Sequence, residues 1–576
     1  MSTDAEPRSG NGHAAGRSRP PRSEGQWAFG QTEPLNANEA WKATEGGLAV
    51  RERVEQVYAR QGFASVDPVD LHGRLRWWGL YTQRKPGIDG GRTATLAPEQ
   101  LGDEFFMLRV RIDGGAVDLA QLRVLAEIST EYARGTADIT DRQNLQYHWI
   151  RIEDAPAIWA KLEAAGLRTI EACGDTPRVI LGSPVAGVAA DEIIDGTPAI
   201  LEIQRRYVGD PSLANLPRKF KTAISGSPHQ DIAHEIHDIA FVGIDHPEYG
   251  PGFDLWVGGG LSTNPMLAQR LGAFVPVEDI AEVWFGVIRV FRDYGYRRLR
   301  HRARLKFLIA DWGVKKFREV LEGEYLGRKM QDSPPPPAPP RGRRDHVGVH
   351  RQRRGAFTVG AAPVVGRISG ETLHGLADLV ERAGSDRIRF TPEQKVVILD
   401  VEAPRVADLV DGLEEIGLTA RASTFRRGTM ACTGLEFCKL AIVETKGVAA
   451  DLVAELEKRF ADVPELFVPD APGLTIHVNG CPNSCARAQI ADIGLKGVQL
   501  PDPDLPGGPT VEGFQVHLGG GLGARAGFGR KVRGLKTTSA ALPDYVERVV
   551  RRWLEQRTDG EEFADWVART AEEDLR

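Results

Sequence analysis

The chain repeats itself. ISGSPHQDIAHEIHDIAFVG, from Ile224 to Gly243, aligns without a gap on VNGCPNSCARAQIADIGLKG, from Val478 to Gly497. Gly226-Ser-Pro falls on Gly480-Cys-Pro, and Asp238-Ile239 on Asp492-Ile493. Downstream, DLWVGGGLSTNP (254–265) matches FQVHLGGGLGAR (514–525); upstream, TDRQNLQYHWIRI (140–152) resembles FTPEQKVVILDV (390–401). Such a chain folds as two diverged copies of one unit about a pseudo-twofold axis, with a ligand crevice between them. Apolar spacing between the landmarks predicts helices at 117–134, 153–165, 279–293, 371–384, 403–416, 447–460 and 541–557. Their alternation with strands gives mixed α/β layers.

Two stretches break the pattern. Residues 1–25 are rich in Gly, Ser, Pro and Arg and are expected to be a disordered tail. QDSPPPPAPPRGRRDHVGVHRQRRG, 331–355, has the proline run and self-repelling arginines of a linker. The net charge of -6, from 73 basic and 79 acidic side chains, excludes a globally basic nucleic-acid binder. No run reaches the ~20 apolar residues of a membrane span. The N-terminus lacks the apolar core of a secretory signal, so a cytoplasmic protein with no membrane partner is expected.

Four of the five cysteines cluster, as Cys432-x5-Cys438 and Cys481-x3-Cys485. Pro482 suits a first helical turn, from which Cys481 and Cys485 would point together. Four soft thiolates suit an iron–sulfur cluster or zinc. Structural zinc sites prefer C-x2–4-C knuckles, which the five-residue gap fits poorly. Copy one has Ser227 and Asp231 where copy two has Cys481 and Cys485, so one copy carries the metal.

The words T-G-x-x-x-C-K and N-G-C-P-N-S-C around these cysteines resemble the sirohaem-dependent sulfite and nitrite reductases, most closely the actinobacterial ferredoxin-dependent sulfite reductases. The resemblance runs from about residue 70 to 576 and includes the duplication. It implies ferredoxin-like half-domains and two larger α/β cofactor-binding domains. The division would be an N-terminal extension with the first half-domain at 26–165 and the first sirohaem-binding domain at 166–330. After the linker come the second half-domain at 356–425 and the cluster-bearing domain at 426–576. It implies that Cys432, Cys438, Cys481 and Cys485 hold a [4Fe–4S] cluster, with Cys485 also the bridging axial ligand of the sirohaem iron.

Within the family's contact segments, Arg109, Arg142, Lys219 and Lys221 are carried as residues that bind the oxyanion and deliver protons, and Arg111 and Arg218 as partners of sirohaem carboxylates. Alternation along FMLRVRIDGG puts Arg109 and Arg111 on one side of a strand. Lys221 stands where nitrite-reducing relatives tend to have a neutral amide, which favours the sulfite dianion. The family's relatives of this type also join a tyrosine to a cysteine by a thioether, here Tyr81 and Cys173. Gly258–Gly260 and Gly519–Gly521 fit no phosphate-binding pattern and suggest close approach to a flat macrocycle. YRRLRHRARLKF, ending at Phe307, reads as a solvated basic helix start. With no nucleotide fingerprint or flavin module, electrons come from a separate protein, for which the family implies reduced ferredoxin. The expectation is a monomeric assimilatory sulfite reductase; the alternatives are nitrite reduction to ammonia and a zinc-stabilised binding protein.

Overall fold

The computed structural model describes residues 36–342, 344–502, 505 and 507–576. The expected tail at 1–25 lies outside them. All seven predicted helices form, and four five-stranded sheets make two matched pairs.

In the larger sheet of copy one, Pro177–Gly182, Phe220–Ser225 and Ile239–His246 run parallel, and Gly250–Val257 and Gln269–Val275 continue antiparallel. Copy two repeats this with Thr429–Ala431, Ile476–Asn479, Ile493–Pro501, Thr510–Leu518 and Arg530–Thr538. Registers repeat as well. Thr222 pairs with Ile239, and its counterpart Ile476 with Ile493.

The two smaller sheets trade a strand. Arg367–Ser369 of copy two pairs antiparallel with Thr136–Ile139 of copy one, and Ala116–Asp118 of copy one with Arg387–Phe390 of copy two. The helix after each traded strand is fixed by its first turn. Asp118 caps Leu119–Tyr132 by accepting from Gln121 N at 2.7 Å, and Gln121 Oε1 accepts from Asp118 N at 3.1 Å. Ser369 caps Gly370–Arg382 through Thr372 N at 2.9 Å. These helices meet across the pseudo-twofold, where Arg123 reaches Asp378 at 3.0 Å and Glu381 at 2.7 Å.

Three details depart from the sequence expectations. Residues 331–355, expected as linker, contain the strand Gly348–Arg351, which pairs with Phe357–Ala361. No helix begins at Pro482; the Cys481–Arg487 segment is a series of turns with Ser484 and Arg487 at φ 54° and 61°. The basic run is not a solvated face. Arg297 and Lys306 are buried, Arg304 pairs with Asp238 at 2.8 Å, and Arg300 holds Asp175 at 2.6 and 2.9 Å. These cations are drawn inward by buried carboxylates and carbonyls, which one-dimensional charge patterning does not reveal.

Asp175 lies two residues beyond Cys173. The short helix Ala37–Thr44 sends Lys42 into the same spot, 3.3 Å from Asp175, 2.6 Å from Glu39 and 3.0 Å from Leu216 O. Burial works against ionisation of Asp175, but Lys42 and Arg300 outweigh it and hold the carboxyl well below its usual range. Asp175→Asn strands these cations and is expected to cost about 3–5 kcal/mol at neutral pH. Because the folded-state pKa is depressed, this stability is present above the unfolded value of about 4 and fades as pH falls toward the folded one. The gap in Tm between wild type and variant should therefore narrow below about pH 4 in a pH series of thermal melts.

Candidate active site

The four clustered cysteines come together from two loops. Cys432 follows the strand Thr429–Ala431, and Cys481 and Cys485 follow Ile476–Asn479. Gly480 N donates to Cys432 Sγ at 3.3 Å. Burial pushes the Cys432 and Cys481 thiols up to about 12, and the other thiols of the group add to it. Such sulfurs ionise only against a bound cation. Four soft sulfurs held within reach of one another's charge fit an iron–sulfur cluster.

Copy one shows what the same positions become without metal. By strand register, Ser183, Ser227 and Asp231 stand where copy two has Cys432, Cys481 and Cys485. Ser183 Oγ donates to Asp231 at 2.7 Å, Ser225 Oγ at 2.9 Å, and His346 from the connecting segment lies 2.8 Å away. Hydrogen bonds close the space that sulfurs frame in copy two.

Cys485 is the exposed member of the four, and its charge reaches Arg109 and Lys219. The predicted cations gather here. Arg109, on Gly102–Val110, donates to Gln146 Oε1 at 2.6 Å and to Cys173 Sγ at 3.2 Å. Burial opposes its charge, yet Cys173, Tyr81, Asp141 and Cys485 hold its pKa above the usual value. Arg142 donates to Val179 O and, at 3.0 Å, to His237 Nε2. His237 Nδ1 donates to Ala233 O at 2.8 Å, so Nε2 is the acceptor that aims Arg142. Burial lowers Arg142 to about 9. Burial, then Arg304 and Arg178, lowers Lys219 to about 7; burial, then Arg142 and Lys219, takes Lys221 well below its ordinary value. Lys221 is pinned through its backbone N to Asp238 Oδ2 at 2.8 Å.

Burial first, and neighbouring cations after it, lower Arg142, Lys219 and Lys221. Arg109 Nε and Arg142 Nε are buried without a hydrogen-bond partner. A pocket of this chemistry fits a group with several carboxylates together with a small oxyanion, which are the needs of sirohaem and its substrate.

Other predicted residues sort as follows. Burial, then the charge of Cys173, raises the Tyr81 pKa, and Arg76 lies 5.5 Å from the Tyr81 ring centroid. Arg218 sits among Arg300, Asp175 and Tyr81, lowered by burial to about 10. Arg111 does not share the pocket with Arg109. Past the strand end it turns to Asp113, at 2.8 and 3.1 Å, and to Pro177 O at 3.1 Å, which engages all three nitrogens. In the glycine turns, a Cβ on Gly259 would meet Glu235 O at 2.4 Å, and one on Gly520 would meet Gln489 O at 2.7 Å, so the chain's own backbone demands these glycines.

Sequence reasoning missed His237, Asp238, Arg178, Arg304, Asp141 and Arg487. Arg178 braces the Cys173 loop through Gly174 O at 2.8 Å. Arg487 donates to Asp141 O at 2.5 Å, joining the Cys485 loop to the residue before Arg142. Asp238 alone left a signal, as a position matched by Asp492 in the repeat.

The crevice has a twin in copy two, a cavity of about 230 Å³ lined by Glu393, Arg427, Gly473, Thr475 and Asp492. These stand at the places of Arg142, Arg178, Lys219, Lys221 and Asp238. Three of the cationic positions have lost their charge or reversed it, and Asp345 occupies Arg427 at 2.8 and 3.0 Å.

Comparison with known proteins agrees with this geometry. The family model described as nitrite and sulphite reductase 4Fe-4S domain matches residues 173–330 and 422–576. The nitrite/sulfite reductase ferredoxin-like half domain matches 98–165 and 350–416. The sulfite reductase [ferredoxin] of Mycobacterium tuberculosis (strain ATCC 25618 / H37Rv) is 59% identical over 556 residues, covering 96% of this chain and 98% of that protein. The assimilatory ferredoxin-dependent nitrite reductase of Haloferax mediterranei is 34% identical over 92% of this chain and 91% of its own. The solved structure of the Mycobacterium tuberculosis NirA protein superposes with a TM-score of 0.92 at 59% identity, covering 96% of this chain and 100% of that one. Duplicated half-domains, a four-thiol loop pair and a gathering of cations beside it are thus accounted for together: the chain belongs to the nitrite and sulphite reductase family, oxidoreductases with a [4Fe–4S] cluster and sirohaem.

Proposed function

We propose that the chain reduces sulfite to sulfide with electrons from reduced ferredoxin, as a cytoplasmic monomer serving sulfur assimilation. The observation that carries this is the gathering of Arg109, Arg142, Lys219 and Lys221 beside Cys485, the exposed member of the cysteine group. Cys432, Cys438, Cys481 and Cys485 would hold the cluster, and Cys485 would also serve the sirohaem iron. When bound, the pair supplies one-electron redox chemistry and an iron site for the substrate.

The chain's own groups handle charge and protons. Arg109 and Arg142 hold the oxyanion from positions already fixed by Gln146 and His237, so little reorganisation is needed as charge moves. Reduction of sulfite takes six electrons and releases three oxygens as water, each leaving with two protons. Lys219, at about 7 before any anion binds, exchanges protons near neutral pH. Anions raise its pKa, which loads it with a proton when sulfite arrives.

The test is the absorption spectrum of the purified protein followed by sulfite-dependent oxidation of reduced ferredoxin. A haem spectrum shifted by sulfite, with turnover, is expected. A colourless protein containing zinc and no iron, made in cells with sirohaem, would sink the reading.

The same proposal includes a thioether between Tyr81 and Cys173. Forming it joins a ring carbon to sulfur, loses two hydrogens and passes two electrons to dioxygen as the oxidant. Peptide mapping should find one joined peptide, lighter by two hydrogens than the separate pair. Two unmodified peptides would refute the bond.

A further inference from the structure

We propose that Gln146 is a positioning residue that couples Arg109 to the loop bearing Cys432 and Cys438. The inference rests on the functional reading above and goes beyond it.

Gln146 lies on the strand Leu145–Ile150, opposite Arg109 in the register, and is buried. A guanidinium only donates, so the amide orientation is decided: Oε1 accepts from Arg109 Nη2 at 2.6 Å. That leaves Nε2 to donate to Thr433 Oγ1 at 3.1 Å, on the residue after Cys432. The same nitrogen lies 3.2 Å from His148, whose ring stacks on Phe437 at 3.7 Å between centroids with an 11° interplanar angle. Phe437 precedes Cys438. One side chain of copy one thus touches the oxyanion-holding arginine and, directly or through one ring, the neighbours of two cluster cysteines in copy two. Asp138, 3.3 Å from His148 Nε2 and 2.6 Å from Arg367 Nε, fixes the far end of this array.

The duplication supplies a control for what packing alone requires. The strands Leu145–Ile150 and Val396–Val401 are counterparts, which sets Val397 against Gln146 and Leu399 against His148. In that half, Val397 and Leu399 pack with Val185 and Val188 in a small apolar cluster. Val188 is the counterpart of Phe437. The fold therefore accepts valine at this position, and the amide appears only in the half that faces the cysteines. A structural role would be met by valine; a bridging role is not.

The experiment uses the holoenzyme and three variants, Gln146→Val, Gln146→Glu and Thr433→Val. Three quantities are read: KM against kcat for sulfite, sulfite Kd from the haem spectrum, and the electron paramagnetic resonance spectrum of the reduced cluster. Gln146→Val should retain cofactor, raise KM and Kd about tenfold, and alter the cluster spectrum. Gln146→Glu keeps an acceptor for Arg109 but no donor for Thr433 and adds a negative charge beside the anion, so KM should rise while the cluster spectrum changes. Thr433→Val removes the acceptor of the same bond without adding charge, so KM should stay within about threefold of wild type while the cluster spectrum changes as in Gln146→Glu. Wild-type KM, Kd and cluster spectrum in Gln146→Val overturn the inference. If Gln146→Val fails to load cofactor, Gln146→Glu and Thr433→Val decide, and wild-type spectra in both overturn it. Wild-type protein that does not turn over sulfite overturns the functional reading instead, which separates the two failures.

Discussion

Cys485→Ser is expected to abolish sulfite reduction, with a loss of at least about a hundredfold, and to bleach or strongly shift the haem spectrum. Changing even a residue behind a metal ligand commonly costs ten- to a hundredfold, and this substitution removes a proposed ligand of both groups. A serine hydroxyl is harder than a thiolate and stays protonated far above the pH at which a cysteine ionises. The site also explains why Cys485 should matter more than its neighbours. It is the exposed sulfur, facing the cations, while Cys481 is largely buried. Iron content, spectrum and turnover should be measured together against Cys173→Ser, which keeps all four clustered thiols and should keep the cluster. A Cys485→Ser protein with native colour and activity would remove the shared-ligand assignment.

Lys221→Asn is expected to lower kcat/KM for sulfite by about ten- to a hundredfold, the range for losing a charged hydrogen bond. The effect on nitrite should be no more than about threefold. Sulfite is a dianion near neutral pH and nitrite a monoanion, so removal of one fixed charge penalises sulfite more. Copy two has made a comparable change on its own account, with Thr475 at the matching position in the lining of its cavity. An unchanged ratio of the two specificity constants would show that Lys221 does not set anion preference.

Much of this site was written in local sequence. The repeat, the four cysteines and the seven helices depend on spacing and residue type, which survive in one dimension, whereas the set Arg109, Arg142, Lys219 and Lys221 rests on the family resemblance. Arg111 misled because alternation along a strand says which face a residue takes only while the strand lasts, and this one ends at Val110. The basic run misled because burial of Arg297, Arg304 and Lys306 depends on acceptors far away, such as Glu39, Asp238 and Gly260. His237 and Gln146 stand among other polar residues, in HEIHD and DRQNLQYH, so neither carries a local mark of the arginine it serves.

The traded strands also govern how the protein is made. Ala116–Asp118 finds its partner only when Arg387–Phe390 exists, and the edge at Thr136–Ile139 waits for Arg367–Ser369. During synthesis, therefore, copy one leaves the ribosome with an unfilled sheet edge, and more than two hundred residues separate the partners at each crossing. An open edge is a template for pairing with other nascent chains, and long-range pairing of this kind forms late. Neither copy is a self-sufficient folding unit. Cleavage in the connecting segment after folding should leave a nicked but intact molecule, whereas the two halves expressed apart should aggregate unless they meet while still incomplete.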